Sequence, residues 1–281
     1  MSLNISSEKI DNPPLIGLLR QLNHTFSRIG NDFFVIGATA RDIILQVLAD
    51  TSARRKTRDL DIAIAVPDWN RYNEICKALI DDGFEKATHQ AQRFYYDDYE
   101  VDIVPYGAVA KDDDNIYWPP EETIAMSVKG FDEVLRQAIT VCVNNEFEIR
   151  IASLHGLFLL KLNAWLDRNI GTDKDADDIW YIVDNYYFAN EERGAHPEVY
   201  ELEHFDLTVG GAYWMAHDIA DILDKEQLKY YRNILAKEAS LEEESRLVIQ
   251  ILETHRTLTL VDVVRVLNTI ADVFTKRIND D

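Results

Sequence analysis

The sequence predicts an α+β protein in which a mixed α/β half, residues 1–150, precedes an all-helical half, residues 151–281. Three observations carry this. Short alternating apolar runs such as "DLDIAIAV" and "ITVCVNNEFEIRIAS" are confined to the first half. From Leu154 onward the apolar spacing becomes helical and stays so. Strands and helices do not alternate as regularly as a doubly wound parallel sheet requires.

Taken in order, "PPLIGLLRQLNHTFSRIG" places Leu15, Leu18, Leu19, Leu22 and Phe26 on one helix face, with prolines at its start. "DFFVIG" is a short apolar strand that ends at Gly37, and "ATARDIILQVLAD" is a helix entered directly from that glycine. "DLDIAIAV" is a second strand. "DWNRYNEICKALIDDGF" is a helix capped by Asp68, with Gly83 past its end. "RFYYDDYEVDIVPYG" reads as two strands around a turn at Asp97 and Asp98. Alternation on both sides of Asn144-Asn145 marks a hairpin. Two amphipathic helices, "LHGLFLLKLNAWLDR" and "KDADDIWYIVDNY", are joined by "NIGTD". A polar stretch from about 190 to 206 leads into further helices.

Composition narrows the function classes. The chain has 281 residues, 47% of them hydrophobic, and no apolar run long enough to cross a bilayer. "MSLNISSEKIDNPPLIG" lacks the basic and apolar regions of a signal peptide. Cys76 and Cys142, without metal spacing, read as reduced thiols of a cytoplasmic protein. A net charge of −21 excludes a non-specific DNA- or RNA-coating protein. The densest basic run, Arg54, Arg55, Lys56 and Arg58, is either a local anion site or a solvated loop.

The chemistry is concentrated in three acids. Asp59 and Asp61 lie two apart on a strand and so share a face. Asp102 interrupts a later apolar strand, "YEVDIVPY". Each alone could be an edge residue facing water. If all three converge, each pair repels by about 4 kcal/mol at 4 Å and an effective dielectric near 20. A hard divalent cation, Mg²⁺ or Mn²⁺, would remove that cost. The junction "VIGATARD" adds a strand, a glycine and a helix N-terminus, which together favour a phosphate, with Thr39 offering a hydroxyl. An anion cradle beside metal carboxylates suits a nucleoside triphosphate.

These segments resemble the nucleotidyltransferase fold of the DNA polymerase β superfamily, a small mixed sheet with flanking helices. "GATARD" is also similar to the Gly-Gly-x-x-Arg-Asp segment of CCA-adding enzymes. A closer resemblance is to the AbiEii/AbiGii toxin family of nucleotidyltransferases, over roughly residues 30–185. It extends through "WPPEETIAMSVKGFDEV", "IASLHGLFLLKLNAWLDR" and "KDADDIWYIV". The resemblance implies NMP transfer from an NTP to an acceptor hydroxyl, in a toxin–antitoxin or phage-defence setting. tRNA or another RNA is one implied acceptor, and a cognate antitoxin an implied partner. It assigns the metal to Asp59, Asp61 and Asp102, and the nucleotide to Gly37, Ala38, Thr39, Arg41, Lys161 and Asp178, with Lys161 and Asp175 also catalytic. The helical half would close the cleft.

Two departures stand out: Ala38 occupies a turn position where the family has Gly or Ser, and about 20 residues separate the turn from Asp59. Ala38 keeps open a second reading, a nucleotide-binding or protein-interaction module of the same fold without turnover. A third reading makes the acidic helical half a docking surface. From residue types alone, Lys161 is either a cleft cation or a lysine reaching water from a face edge. Asp175 and Asp178 are either ligand contacts or acids favoured by a helix N-terminus.

Overall fold

The computed structural model describes residues 2–280 apart from 7–9, 11, 50–57, 121, 123–124, 196 and 203. Arg54, Arg55 and Lys56 of the basic run lie outside the described residues. The first half runs β1 (Ser2–Ile5), α1 (Pro13–Ile29), β2 (Phe34–Ile36), α2 (Gly37–Leu48), β3 (Asp59–Ala65), α3 (Trp69–Asp81), β4 (Glu85–Lys86), β5 (Arg93–Tyr96), β6 (Tyr99–Tyr106), β7 (Asn115–Tyr117), β8 (Ala125–Ser127), α4 (Phe131–Arg136), β9 (Ile139–Val143) and β10 (Phe147–Ile151). Among the described residues, eight strands form one mixed sheet in the order β1-β9-β10-β2-β3-β6-β5-β4, and β7 and β8 form a separate ribbon. The sheet is broader than the small one expected. The β9–β10 hairpin and β1 extend it beyond β2, β10 pairing parallel to β2 and β1 parallel to β9.

Local chemistry explains the elements. Asn12 caps α1 by accepting from the Leu15 amide, Pro13 and Pro14 occupy its first turn, and Gly30 closes it in a left-handed conformation. Asp68 caps α3, accepting from the Arg71 amide at 2.9 Å. Asn144 and Asn145 both take positive φ in the hairpin turn, where the Glu146 amide donates to the Val143 carbonyl at 2.8 Å. In β3, Leu60, Ile62, Ala63 and Ile64 are fully buried, so the strand is covered on both faces beyond its first residues. Only its start, where Asp59 is exposed and Asp61 half-buried, opens a polar face.

The chain divides into two compact units, residues 1–153 and 154–281. The second holds α5 (Leu154–Arg168), α6 (Lys174–Tyr186), α7 (Leu207–Ala220), α8 (Lys225–Leu241), α9 (Arg246–Thr254) and α10 (Leu260–Asp280), with short 3-10 turns between α6 and α7. Within it α10 packs along α8 and α7, and α6 along α5 and α7. The α6–α7 approach is close because α7 carries Gly211. A Cβ there would come within 2.9 Å of the Tyr187 amide nitrogen and 3.0 Å of the Val183 carbonyl. Cys76 and Cys142 are both free. Cys76 is buried, which pushes its thiol pKa up, and Cys142 is half-buried. No helix among the described residues is long and apolar enough to cross a membrane.

Candidate active site

The site in the first unit starts where β2 turns directly into α2. Gly37 has φ +70°, a conformation that strains residues with a Cβ. A Cβ at Gly37 would lie 2.2 Å from Oδ2 of Asp61, so the missing side chain is what lets the turn press onto that carboxylate. The N-cap residue, Ile36, makes no side-chain cap bond to α2, and the amides at this helix end favour an anion. Thr39 is buried, and its hydroxyl donates to the Asp59 carbonyl at 2.9 Å, tying the turn to the start of β3. Ala38 sits in the first helical turn and is not among the positive-φ residues, so this position does not require glycine. Arg41 is buried and folds onto its neighbour, Nε donating to Oδ1 of Asp42 at 2.8 Å and Nη2 lying 2.7 Å from it. Gly37→Ala is expected to cost about 1–2 kcal/mol in left-handed strain and to displace Asp61. Urea unfolding, with nucleotide titration of the folded variant, checks both effects, and unchanged affinity would separate the turn from the ligand.

Strand register assembles the acids. β3 and β6 run parallel with Asp59 opposite Glu100 and Asp61 opposite Asp102. Alternation along each strand puts all four carboxylates on one face, two by two. Antiparallel pairing of β5 with β6 sets Arg93 opposite Asp102. Arg93 grips both oxygens of that acid, Nε to Oδ1 at 2.7 Å and Nη2 to Oδ2 at 2.9 Å, while Nη1 bonds Glu100. The hydrogen bonds to Asp102 raise the Arg93 pKa further above its already high value. One guanidinium thus offsets the repulsion between Asp102 and Glu100.

The second unit carries its own charge cluster. Lys161 on α5 lies 2.6 Å from Asp178 and 3.3 Å from Asp175, both on α6. Arg168, at the end of α5, grips Asp175 with both fork nitrogens, at 2.6 and 2.8 Å. Asp175 is only 1% exposed. Burial works to raise its pKa, but Arg168 and Lys161 outweigh burial and hold the carboxyl below the ordinary carboxylate value.

The fit to a divalent cation is partial. Asp59 and Asp61 are hard oxygen donors of the kind Mg²⁺ or Mn²⁺ takes. Asp102 stands beside Asp61 in register, but both its oxygens are engaged by Arg93. Among the described residues, no three His, Cys, Asp or Glu side chains are grouped as ligands for one ion. Asp59 and Asp61 could hold a metal between them, and Asp102 could join them if Arg93 released it. Sequence reasoning missed Arg93, Glu100 and Arg168. Arg93 had a signal: counting outward from the turn at Asp97 and Asp98 places it opposite Asp102.

No curated protein matches the chain. The chain aligns with the solution structure of the antibiotic-resistance factor ANT(2'')-Ia at 12% identity and a TM-score of 0.36, over 74% of this chain and 94% of that one. The family model described as nucleotidyl transferase AbiEii toxin, type IV TA system, matches residues 20–247. That span contains the Gly37 turn, all four carboxylates, Arg93 and the Lys161 cluster, and the chain belongs to the AbiEii family of nucleotidyl transferase toxins.

Proposed function

We propose that this chain transfers a nucleoside monophosphate from an NTP to a hydroxyl of an RNA acceptor, with Mg²⁺ or Mn²⁺ held by Asp59 and Asp61 and completed by Asp102. The carrying observation is the Gly37 turn, which sets the α2 N-terminus against Asp61 with Asp102 alongside. The α2 amides bind the triphosphate. The acceptor oxygen bonds to the α-phosphorus, the bond to the β-phosphate oxygen breaks, and pyrophosphate leaves. Asp102 takes the proton that the hydroxyl loses. A bound divalent cation supplies charge neutralisation on the phosphates. Lys161 contributes a cation to nucleotide binding, the role the family resemblance gives it, and a toxin of this kind would be held in check by a cognate antitoxin. The charge of −21 argues for a narrow acceptor contact, and a structured RNA end such as that of tRNA suits it better than a long duplex.

The test is incubation with each α-labelled NTP, Mg²⁺ and a total RNA pool. One nucleotide should label RNA of tRNA size while pyrophosphate appears. Absence of both products with every NTP would sink the reading. Label on protein alone would keep the transfer and remove the RNA.

A further inference from the structure

The Arg93 fork is more than a surface ion pair. Both oxygens of Asp102 are engaged in charge-assisted bonds. The same guanidinium holds Glu100, two residues earlier on the same strand face. The exposures differ: the Asp102 side chain is 17% exposed, Arg93 21% and Glu100 40%. Arg93 therefore has a second partner on the side nearer water, on which it can stay when it lets Asp102 go. The β5–β6 hairpin register fixes its backbone opposite Asp102, so the exchange needs only a side-chain rotation.

We infer that Arg93 is a built-in competitor for the metal: it occupies Asp102, and the carboxylate set of Asp59, Asp61 and Asp102 closes on a divalent cation only when the guanidinium swings onto Glu100. This inference rests on the proposed metal-dependent reading. Arg93 and the cation exclude each other at one side chain. The fork, with two parallel bonds to one carboxylate, sets how tightly the protein binds the ion, and a single positive charge at that place would do less.

Mn²⁺ titration of the protein without nucleotide, read by the electron paramagnetic resonance of the free ion, tests this. The proteins are wild type, Arg93→Gln, Arg93→Lys and Asp61→Asn, each checked for folding by thermal melting. Arg93→Gln should bind Mn²⁺ about tenfold tighter or more, the scale of a lost charge-assisted contact. Arg93→Lys should also tighten binding, because it keeps the charge but cannot grip both oxygens. It also serves as the conservative variant if the Gln protein does not fold. Binding in Arg93→Lys equal to wild type, or weaker binding in either Arg93 variant, overturns the inference. Saturable Mn²⁺ binding in wild type that is lost in Asp61→Asn but untouched by the Arg93 changes removes the competition and leaves the metal site standing. No saturable binding in any of the four removes both.

Discussion

Asp61→Asn is expected to lower nucleotidyl transfer by about two to three orders of magnitude, the loss that follows from removing one preorganised charge worth roughly 3–4 kcal/mol in the transition state. Asp61 links two parts of the site: its Oδ2 occupies the space a Cβ would need at Gly37, and it stands beside Asp102 across the β3–β6 ladder. Asparagine keeps its shape and removes its charge. The half-buried position and the fully buried Leu60 and Ile62 on either side should hold the strand in place. The melting transition should therefore stay where it is while turnover falls. Single-turnover kinetics at saturating NTP separates the two, and unchanged turnover would take Asp61 out of the mechanism.

The double variant Lys161→Met/Arg168→Met should destabilise the helical unit by roughly 3–5 kcal/mol, the usual cost of stranding a buried charge. On the sequence alone, Lys161→Met would be nearly neutral, because the surrounding face is rich in leucine. With both cations removed the case differs: Asp175 is almost fully buried, and Lys161 and Arg168 hold its carboxylate. The pH dependence should change sign as well. In the wild type the Asp175 pKa is depressed by folding, so its contribution is complete above the unfolded value near 3.9 and is lost as pH falls through the folded one. In the double variant burial acts alone and raises that pKa. Stability should then be greatest in acid and fall as pH rises through the unfolded value. Urea unfolding of both proteins between pH 3 and pH 7 reads the two slopes, and parallel slopes would show that Asp175 does not depend on these cations.

Features whose cause is local were legible in the sequence. The alternation after Asp59, the Asp68 cap, the Asn144-Asn145 turn and the helical spacing from Leu154 each act within a few residues, and each element formed where its residues required. The Asp175 and Asp178 pair was legible as one helix face, and Lys161 lies against both. Non-local effects were harder to read. β1 is only four residues, too short for its alternation of Ser2, Leu3, Asn4 and Ile5 to mark it, and it is a strand because β9 offers an edge about 135 residues later in the chain. Arg168 is an ordinary helix-terminal arginine until α6 returns with Asp175. Glu100 carries no local signal, because the residues it meets, Asp59 and Arg93, lie on two other strands.

The strand order has a consequence for synthesis. β2, which delivers the Gly37 turn, is flanked by β3 on one side and on the other by β10, whose residues end at Ile151. The turn, Asp61 and Asp102 all leave the ribosome well before that strand does. Long-range pairings of this kind form late, because loop closure must be met before they return any energy. A nascent chain carrying Asp59, Asp61 and Asp102 would still lack the strand that braces β2. If the proposed transfer needs β2 braced on both sides, it can begin only after β10 has been made and the sheet has closed.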